Sequence, residues 1–340
     1  MSHSLPDQAS PPRTRRRGRR ILAVLLGLAL LAVGAMGGFV LYLNNRISHI
    51  AVDDTLLPPD AAQGNDNADP GTDPADEESE PLVESPGTNY LIIGSDARPG
   101  DAGRSDVIIL GHVTEKRDKV YLIHFPRDLY VDIPGRGKDK INAAYAYGGG
   151  ALLAKTLQNL THVKIDHAAK IDFTGFQRMT DAVGGVRVYA EEASKESGFT
   201  IQKGWNNLNG EQALQFVRER YQLKEGDISR GRRQMAFVKA LMVKTLSPGV
   251  VLNPVKLTSF INAATDNAVV SKGLTGKFLR SEAIAMRDLR GDDIVFITAP
   301  FSGYGTAPNG GAIDILDQPR MESLALALQD DKVEEYLADK

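Results

Sequence analysis

One uninterrupted apolar run dominates the N-terminal part of the chain. Residues 21–43 carry no charged side chain, and these 23 residues suffice for a helix that crosses a bilayer. Six arginines precede the run and acidic residues follow it, which predicts a cytoplasmic N-terminus and an extracellular remainder. A cleaved signal peptide is the alternative, but the run is longer than an ordinary signal core. We therefore expect a cytoplasmic basic tail over 1–20 and a transmembrane helix over 21–43.

The polarity then reverses over residues 44–87. This stretch holds eleven acidic residues and one arginine, with six prolines among them. Such a segment buries too little apolar surface to fold, and its like charges repel one another. It predicts an acidic, disordered extracellular linker between the membrane and the domain that follows.

From residue 88 onward, short runs rich in Val, Ile, Leu and Tyr alternate with segments of helical periodicity. The apolar runs predict strands over 89–94, 106–113, 119–125, 129–133, 167–172, 186–189 and 293–299. After a glycine-rich turn, helices are predicted over about 150–159, 173–183, 209–217, 227–246, 254–264, 279–290, 318–329 and 332–338. This alternation indicates the α/β class, and we expect a layered α-β-α domain with a mixed central sheet over 88–340.

Composition narrows the chemistry that this domain can perform. The chain has no cysteine, which excludes disulfides, thiol catalysis and cysteine-held metal clusters. It also lacks a Walker loop, a dinucleotide-binding glycine fingerprint, a His-Glu-x-x-His motif and a nucleophile elbow. The histidines are scattered without metal-ligand spacing. Because the region after residue 88 is nearly neutral, its charge gives no case for nucleic-acid binding.

Charged side chains concentrate where the first predicted strands end. The loop between the first two strands carries Asp96, Arg98, Arg104 and Asp106. Arg127 follows the third predicted strand and is expected at the same edge of the sheet, where α/β proteins place ligand sites. The plainer interpretation is an ordinary charged surface turn, and the choice depends on whether the rest of the chain supplies partners.

Two further arginine groups lie towards the middle of the chain. Arg218 and Arg220 share a face only if the backbone there is extended; on a continuing helix they diverge by about 200°, and only one would face a site. Arg230 and Gln234 lie one above the other on the next predicted helix. The expected first turn of that helix holds three arginines, which oppose its dipole and indicate a bound anion; a solvated basic face is the alternative.

Together these side chains predict a phosphate site. Guanidinium groups bind phosphate oxygens in pairs. The carboxylates of Asp96 and Asp106 would repel a phosphate unless a hard cation such as Mg²⁺ lay between them. We therefore expect a phosphoryl or pyrophosphoryl site in which arginines and a metal ion stabilise the charge of a leaving group.

Several short blocks stand in a fixed order along residues 88–247. They are Gly94-Ser95-Asp96-Ala97-Arg98, Arg104-Ser105-Asp106, Phe125-Pro126-Arg127-Asp128, Lys140-Ile141-Asn142-Ala143-Ala144-Tyr145, Asp181-Ala182-Val183-Gly184-Gly185-Val186, Val217-Arg218-Glu219-Arg220, and Arg230 with Gln234. In this order the blocks resemble the LytR–CpsA–Psr (LCP) proteins of Gram-positive and actinobacterial envelopes. The predicted anchor and external domain fit that resemblance, which makes 88–340 the expected LCP catalytic domain.

The resemblance implies transfer of a wall glycopolymer from a polyprenyl-pyrophosphate carrier to peptidoglycan, with a phosphodiester formed and polyprenyl phosphate released. It implies that Asp96 and Asp106 hold Mg²⁺ (or Mn²⁺) and act in catalysis together with Arg127. With the charge pattern, it gives as pyrophosphate ligands Arg98, Arg104, Arg127, Lys140, Arg218, Arg220, Arg230 and Gln234. The expected partners are the lipid-linked glycan, peptidoglycan and membrane lipid, with no nucleic acid.

Two other functions stay open from the sequence. A pyrophosphohydrolase would cleave the same lipid with water as the acceptor, and the residues do not separate hydrolysis from transfer. A non-catalytic wall-binding or regulatory anchor would need no chemistry, although the many arginines near one helix start argue against simple scaffolding.

Overall fold

The computed structural model of the chain describes residues 41–43, 45–47, 49–59, 82–95, 105–196 and 198–339. The chain divides into two compact units, Met1–Asn45 and Arg46–Lys340. Of the predicted transmembrane span, only residues 41–43 are described, and they are helical; the rest lies outside the described residues. Within the described ranges, no helix has both the length and the hydropathy that a membrane crossing requires.

The described secondary structure belongs mainly to the second unit. In chain order the strands are β1 (Ala51–Val52), β2 (Thr88–Ser95), β3 (Ser105–Val113), β4 (Val120–Phe125), β5 (Leu129–Ile133), β6 (Gly137–Lys140), β7 (His167–Asp172), β8 (Val186–Ala190), β9 (Ser194–Glu196), β10 (Phe199–Ile201), β11 (Gly204–Leu208), β12 (Ala268–Val270), β13 (Ile294–Thr298), β14 (Phe301–Thr306) and β15 (Ala312–Leu316). The helices are α1 (Ile141–Thr161), α2 (Phe173–Ala182), α3 (Gly210–Arg218), α4 (Asp227–Thr245), α5 (Pro248–Val251), α6 (Pro254–Asn267), α7 (Gly276–Ala285), α8 (Gln318–Gln329) and α9 (Val333–Ala338).

A seven-stranded mixed sheet forms the centre of this unit, with the strand order β1-β12-β7-β2-β3-β4-β13. β7 runs parallel to β2 and β13 runs parallel to β4, whereas β3 is antiparallel to both of its neighbours. As a result, β7, β2, β4 and β13 all end at one edge of the sheet, and β3 begins there. We call this edge the carboxyl edge.

The middle strands of the sheet are buried on both faces. In β3, Ile108 belongs to the core cluster that also contains Leu157 of α1 and Leu324 of α8. Its neighbour Ile109 points to the opposite face and packs in a cluster with Met235 of α4. Helices therefore cover both faces, and the predicted α/β domain with a mixed central sheet is confirmed.

Smaller sheets flank the main one. β8 and β11 form an antiparallel ribbon, and its inner face packs with Phe216 of α3 and Phe237 of α4 in a core of its own. β9 and β10 form a second ribbon, and β14-β15-β5-β6 form a four-stranded sheet next to α1. The strand predicted over 129–133 therefore exists, but it belongs to this separate sheet.

Several elements differ from the sequence prediction. The glycine-rich turn expected before residue 150 is part of α1, which begins at Ile141 and bends at Gly148 and Gly149. The prediction also misses β6, β9, β10, β11, β12, β14 and β15. β10 and β12 have only three residues each, and the other five strands include glycines or charged residues, so none of them has a clear apolar run.

Both ends of the predicted linker over 44–87 contribute to the folded unit. Ala51–Val52 forms β1, which pairs with β12, and Leu56 is 2 % exposed in the main core. Near the other end, Val83 bridges to Val163. The average composition of residues 44–87 is polar, and it does not reveal the few apolar side chains that pack at each end. The predicted linker is therefore too long at both ends. Residues 60–81 lie outside the described residues.

The bend in α1 provides a test of the fold. Gly149 has φ +62° and ψ −153°, a conformation that residues with a Cβ rarely adopt. No atom lies within 4 Å of the position that its Cβ would take, so the cost of Gly149→Ala is conformational. We expect the free energy of unfolding in urea to fall by about 1–3 kcal/mol. Gly249→Ala in α5, without positive φ, is the control and should be neutral or stabilising. Equal losses in both variants would contradict the proposed cause.

Candidate active site at the carboxyl edge

Three of the predicted site residues belong to the loop between β2 and β3, and a fourth, Asp106, is the second residue of β3. Gly94 pairs with Val107 and Ser95 pairs with Ser105, so Asp106 is the extra residue of a β-bulge in β3. A Cβ on Gly94 would lie 2.8 Å from the Cβ of Val107, and the glycine therefore permits the close approach of the two strands. Outside the described residues lie Asp96, Arg98, Arg104 and the side chain of Asp106.

Arg127 stands two residues beyond the end of β4. Its Nε lies 3.5 Å from one carboxylate oxygen of Asp128, and the other oxygen accepts a hydrogen bond from Lys140 Nζ at 2.7 Å. The backbone carbonyl of Arg127 accepts from the amide of Asn142 in the first turn of α1 at 3.2 Å. One carboxylate thus positions two of the predicted pyrophosphate ligands beside the start of a helix.

Arg127 and Lys140 line the same open pocket of about 360 Å³. The remaining walls are Asp128, Asp139, Asn142, Ala143, Ala146 and Tyr147. The hydroxyl of Tyr147 donates to Asp139 at 2.7 Å. The pocket sets the cations of Arg127 and Lys140 and the N-terminal turn of α1 beside the carboxylates of Asp128 and Asp139, so it offers an anion hydrogen-bond donors rather than a net positive charge.

Helix α3 ends between the two arginines at 218 and 220. Arg218 is its last residue, and Glu219 follows with extended backbone (φ −61°, ψ 130°). The Arg218 guanidinium lies 3.9 Å from the ring centre of Phe173, which directly follows β7. Arg220 instead stacks on Tyr221 at 4.6 Å and donates to its hydroxyl at 2.7 Å. The backbone is extended here. Arg218 contacts the residue after β7 at the carboxyl edge, and Arg220 contacts Tyr221.

Arg230 and Gln234 lie on a buried face of α4, with 8 % and 6 % exposure. Gln234 Nε2 donates to the backbone carbonyl of Val217 at 3.4 Å, close to the end of α3. Gly231 packs against His124 of β4, since a Cβ there would lie 2.5 Å from the imidazole Cε1. The segment of α4 that bears the two predicted ligands is thus held against both β4 and α3.

His124 is a neutral imidazole beneath this segment. Burial, and then the nearby Arg230 cation, lower its pKa from 6.5 to about 4. The ring therefore adds no second positive charge next to the Arg230 guanidinium at neutral pH.

The expected group of three arginines in the first turn of α4 is a wrong prediction. The helix begins at Asp227, so the arginines start only at its fourth residue. Arg232 Nε lies 2.9 Å from Glu191, and Arg233 donates to Ser194 Oγ at 2.9 Å. These two side chains fasten α4 to the segment after β8, and the dipole argument for an anion at this helix start does not hold.

The carboxyl edge collects predicted residues from separate elements. Neighbouring strands lie about 4.8 Å apart, so β7 and β4, with β2 and β3 between them, are about 14 Å apart. Arg127 follows β4 and Arg218 packs on the residue after β7. The end of β2 and the start of β3 lie between these two strands. Cations from both sides can therefore converge on one anion with several oxygens.

Sequence reasoning misses two residues of this region. Asp128 is adjacent to Arg127 in the chain, and an acid at that position is the one available signal for the bridge to Lys140. His124 gives no sequence signal, because its contact with Gly231 arises from packing of α4 on the sheet. Among the described side chains, no group of three or more His, Asp or Glu is arranged to hold a metal ion; Asp96 and Asp106 are not among those side chains.

A model of the LytR_cpsA_psr family matches residues 62–330, which is most of the chain. The chain belongs to the LytR_cpsA_psr family. The resemblance seen in the short sequence blocks is therefore confirmed.

Two named transferases and two solved structures show how similar this chain is to known proteins. The polyisoprenyl-teichoic acid–peptidoglycan teichoic acid transferase TagU of Oceanobacillus iheyensis is 37 % identical over 230 residues, 66 % of this chain and 68 % of that protein. TagU of Enterococcus faecalis is 32 % identical over 258 residues, 74 % of this chain and 78 % of that protein. The crystal structure of B. subtilis TagV has a TM-score of 0.62 and 28 % identity, covering 74 % of this chain and 97 % of TagV. A structure of TagT bound to LI-WTA has a TM-score of 0.58 and 27 % identity, covering 73 % and 91 %.

The buried imidazole predicts a pH dependence of stability in this family member. Unfolded His124 takes up a proton below pH 6.5, whereas the folded form resists protonation down to about pH 4. The stabilisation that comes from the neutral folded imidazole is fully present above pH 6.5. Between pH 6.5 and about pH 4, the free energy of unfolding falls by about 1.4 kcal/mol for each unit of pH.

We expect the free energy of unfolding of His124→Gln to fall less between pH 6.5 and pH 4 than that of the wild type, because the variant has no imidazole to titrate at this position. The measurement is urea unfolding of both proteins from pH 7.5 to pH 4. The wild type should lose its advantage over the variant as the pH falls. Parallel curves for the two proteins across this range would show that His124 does not titrate as described.

Proposed function

We propose that this chain transfers a wall glycopolymer from a polyprenyl-pyrophosphate carrier to peptidoglycan, forming a phosphodiester and releasing polyprenyl phosphate. The chain is an enzyme of the transferase class, since it belongs to the LytR_cpsA_psr family and its relatives are named teichoic acid transferases. The observation that carries the proposal is the arrangement at the carboxyl edge. There, β2 and β3 lie between Arg127 and Arg218, Asp96 directly follows β2, and Asp106 is the second residue of β3.

This arrangement suits a diphosphate between a glycan and a lipid. Each guanidinium can donate two hydrogen bonds to phosphate oxygens. Asp128 positions Arg127 and Lys140 in one pocket, and the first turn of α1 adds backbone donors. Arg230 and Gln234, held on α4 against β4 and α3, complete the proposed set of ligands.

The proposed reaction needs no nucleophile from the protein. A hydroxyl of a peptidoglycan sugar attacks the phosphorus attached to the glycopolymer. The new phosphorus–oxygen bond forms as the bond to the bridging oxygen breaks, and polyprenyl phosphate leaves with that oxygen. The proton of the hydroxyl passes to a carboxylate oxygen of Asp96 or Asp106 that is not engaged by a metal ion. Positioning of the two substrates and stabilisation of the leaving charge by arginines supply the catalysis.

The donor set of the loop fits a Mg²⁺ (or Mn²⁺) ion. Two carboxylates are hard oxygen ligands, and the bulge at Asp106 takes this residue out of the regular alternation of β3. We propose that Asp96 and Asp106 hold the ion. When bound, it supplies positive charge that offsets the repulsion between these carboxylates and the diphosphate.

The proposed location follows from the sequence pattern. A membrane helix over residues 21–43, preceded by arginines, would hold the domain outside the cell at the membrane that contains the lipid substrate. Membrane lipid, the lipid-linked polymer and peptidoglycan are the partners that this location makes available.

Removal of Arg127 or of Arg218 tests the proposal. We expect Arg127→Ala and Arg218→Ala each to lower transfer about 10²–10³-fold, because the leaving diphosphate loses a charged donor. The assay is the attachment of labelled polymer from its lipid carrier to peptidoglycan by the full-length protein in detergent. Arg320→Ala is the control, since this exposed arginine of α8 makes one ion pair at 4.0 Å. Melting temperatures near the wild-type value would exclude unfolding as the cause.

The same assay separates the alternatives. Release of phosphorylated polymer without attachment, while polyprenyl phosphate is formed, would identify a hydrolase and refute the transferase. Unchanged attachment in Arg127→Ala and Arg218→Ala would instead favour a non-catalytic anchor.

Metal removal gives an independent prediction. We expect chelation with EDTA to lower transfer, because it removes the positive charge between the carboxylates of Asp96 and Asp106 and the diphosphate. Added Mg²⁺ should restore transfer by replacing that charge. Asp96→Asn and Asp106→Asn should lower both transfer and Mg²⁺ binding in calorimetric titrations. Asp132→Asn is the control, since its carboxylate is exposed and lies 3.7 Å from Lys138. Full activity in EDTA would rule out the metal.

A further inference from the structure

The ribbon of β8 and β11 has two different faces. Four of its inward residues, Val186, Val188, Ala190 and Leu208, are buried in the core that contains Phe216 of α3. Its outward positions are all exposed, and they are Arg187, Tyr189, Trp205 and Asn207. We call these four side chains the ribbon face. Since the inner face alone supplies the packing, folding does not require aromatic residues on the outer one.

Two aromatic rings and a cation form one cluster on the ribbon face. Trp205 is paired with Tyr189 across the two strands, with ring centres 5.5 Å apart and planes at 76°. The Arg187 guanidinium lies 4.8 Å from the centre of the Trp205 ring. Asn207 is paired with Arg187 and places an amide at the margin of the cluster. Cross-strand contacts thus hold the rings in fixed positions.

The rings remain accessible to a ligand. Trp205 is 61 % exposed and Tyr189 is 46 % exposed. Trp205 is also the single tryptophan of the chain. Isolated exposed apolar residues are ordinary, but two ordered aromatic rings side by side mark an interaction surface.

The chemistry of the ribbon face matches a sugar chain. A pyranose ring has an apolar C–H face, which stacks on flat aromatic rings, and a rim of hydroxyl groups, which pair with amide and guanidinium groups. Arg187 also complements the carboxylates that peptidoglycan carries. No aliphatic side chain lies among these four outward positions, which argues against insertion into a bilayer.

The ribbon face adjoins the helix that carries part of the candidate site. Tyr189 lines a small cavity of about 130 Å³ together with Arg232 and Arg233 of α4. The same stretch of α4 bears Arg230 and Gln234 on another face. A polymer that lies on the ribbon therefore approaches the segment that we assign to diphosphate binding.

We infer that the ribbon face binds the glycan strand of peptidoglycan, the acceptor in the proposed reaction. This inference rests on the proposed function. The donor polymer reacts at its end, whereas the attacked hydroxyl belongs to a sugar within a strand. An open, flat face accommodates sugars on both sides of the reacting one, which an enclosed pocket does not.

The single tryptophan makes the binding directly measurable. The full-length protein in detergent is titrated with soluble glycan fragments of alternating N-acetylglucosamine and N-acetylmuramic acid, and tryptophan emission is recorded. We expect a saturable change in emission. Tyr189→Ala and Arg187→Ala, which retain Trp205, should weaken the apparent affinity about two- to tenfold, the range of one aromatic or cation–π contact. Tyr304→Ala, which removes an exposed tyrosine of β14, should not change it.

A second measurement does not depend on fluorescence. Trp205→Ala should reduce co-sedimentation of the full-length protein with insoluble peptidoglycan, with a melting temperature near that of the wild type. In the transfer assay, it should raise the KM for the glycan acceptor more than it lowers turnover at saturation.

The outcomes separate the ribbon from the proposed function. Binding that is sensitive to Tyr189→Ala without any transfer would support the ribbon face and overturn the transferase. Transfer with no emission change on glycan, and with normal acceptor KM in Trp205→Ala, would overturn the ribbon face. The ribbon face is also overturned if glycan causes no emission change and another partner does. A change with anionic vesicles would assign the surface to lipid, and a change with the lipid-linked donor would assign it to the donor. A change with protein concentration alone would assign it to self-association.

Discussion

Register between the central strands is the constraint on which the site depends. Because β2 and β3 are apolar on both faces, hydrophobic burial alone specifies their pairing weakly. A buried polar pair specifies the register of β2 and β3. His112 Nδ1 lies 2.8 Å from the side-chain oxygen of Asn89, the residue with which it pairs across the two strands. A slip would leave these groups unpaired at a cost of about 1–3 kcal/mol each. The same register places Gly94 against Val107 and makes Asp106 the bulged residue.

Two features arrange the charges at the carboxyl edge: one acid contacts two cations, and the arginines of α4 lie on different faces of the helix. Asp128 lies against both Arg127 and Lys140, so one acid orients two cations. Arginines of α4 are divided between its faces: Arg230 lies toward His124 and the sheet, while Arg232 pairs with acids directly after β8. The helical repeat of 3.6 residues produces this division, because positions 230 and 232 point about 160° apart. Neighbours in sequence can therefore serve binding and fastening separately.

The sequence predicts most of the central sheet and some helix bounds, since long apolar runs and caps are local signals. The helix Gln318–Gln329 agrees at both ends, and the strand Leu129–Ile133 does as well. Short strands fail because β6 and β14 owe their state to pairing partners rather than to their own residues. At the site, the pattern identifies the charged residues but not their partners. Only packing shows that Arg232 is bound to acids and that Arg218 lies on Phe173.

Helix α4 links the two surfaces that the proposed reaction must bring together. One of its faces contacts β4 and the end of α3, and another contacts the segment directly after β8, the first strand of the ribbon. A rigid helix fixes the separation of two binding surfaces more tightly than a loop does. Phosphoryl transfer to a bound hydroxyl draws its rate from such positioning, and a displacement of about 1 Å costs about 10²-fold. An enzyme that works this way requires well-fixed arginines and a well-placed acceptor rather than a nucleophile of its own, which accords with a site of cations, carboxylates and aromatic rings.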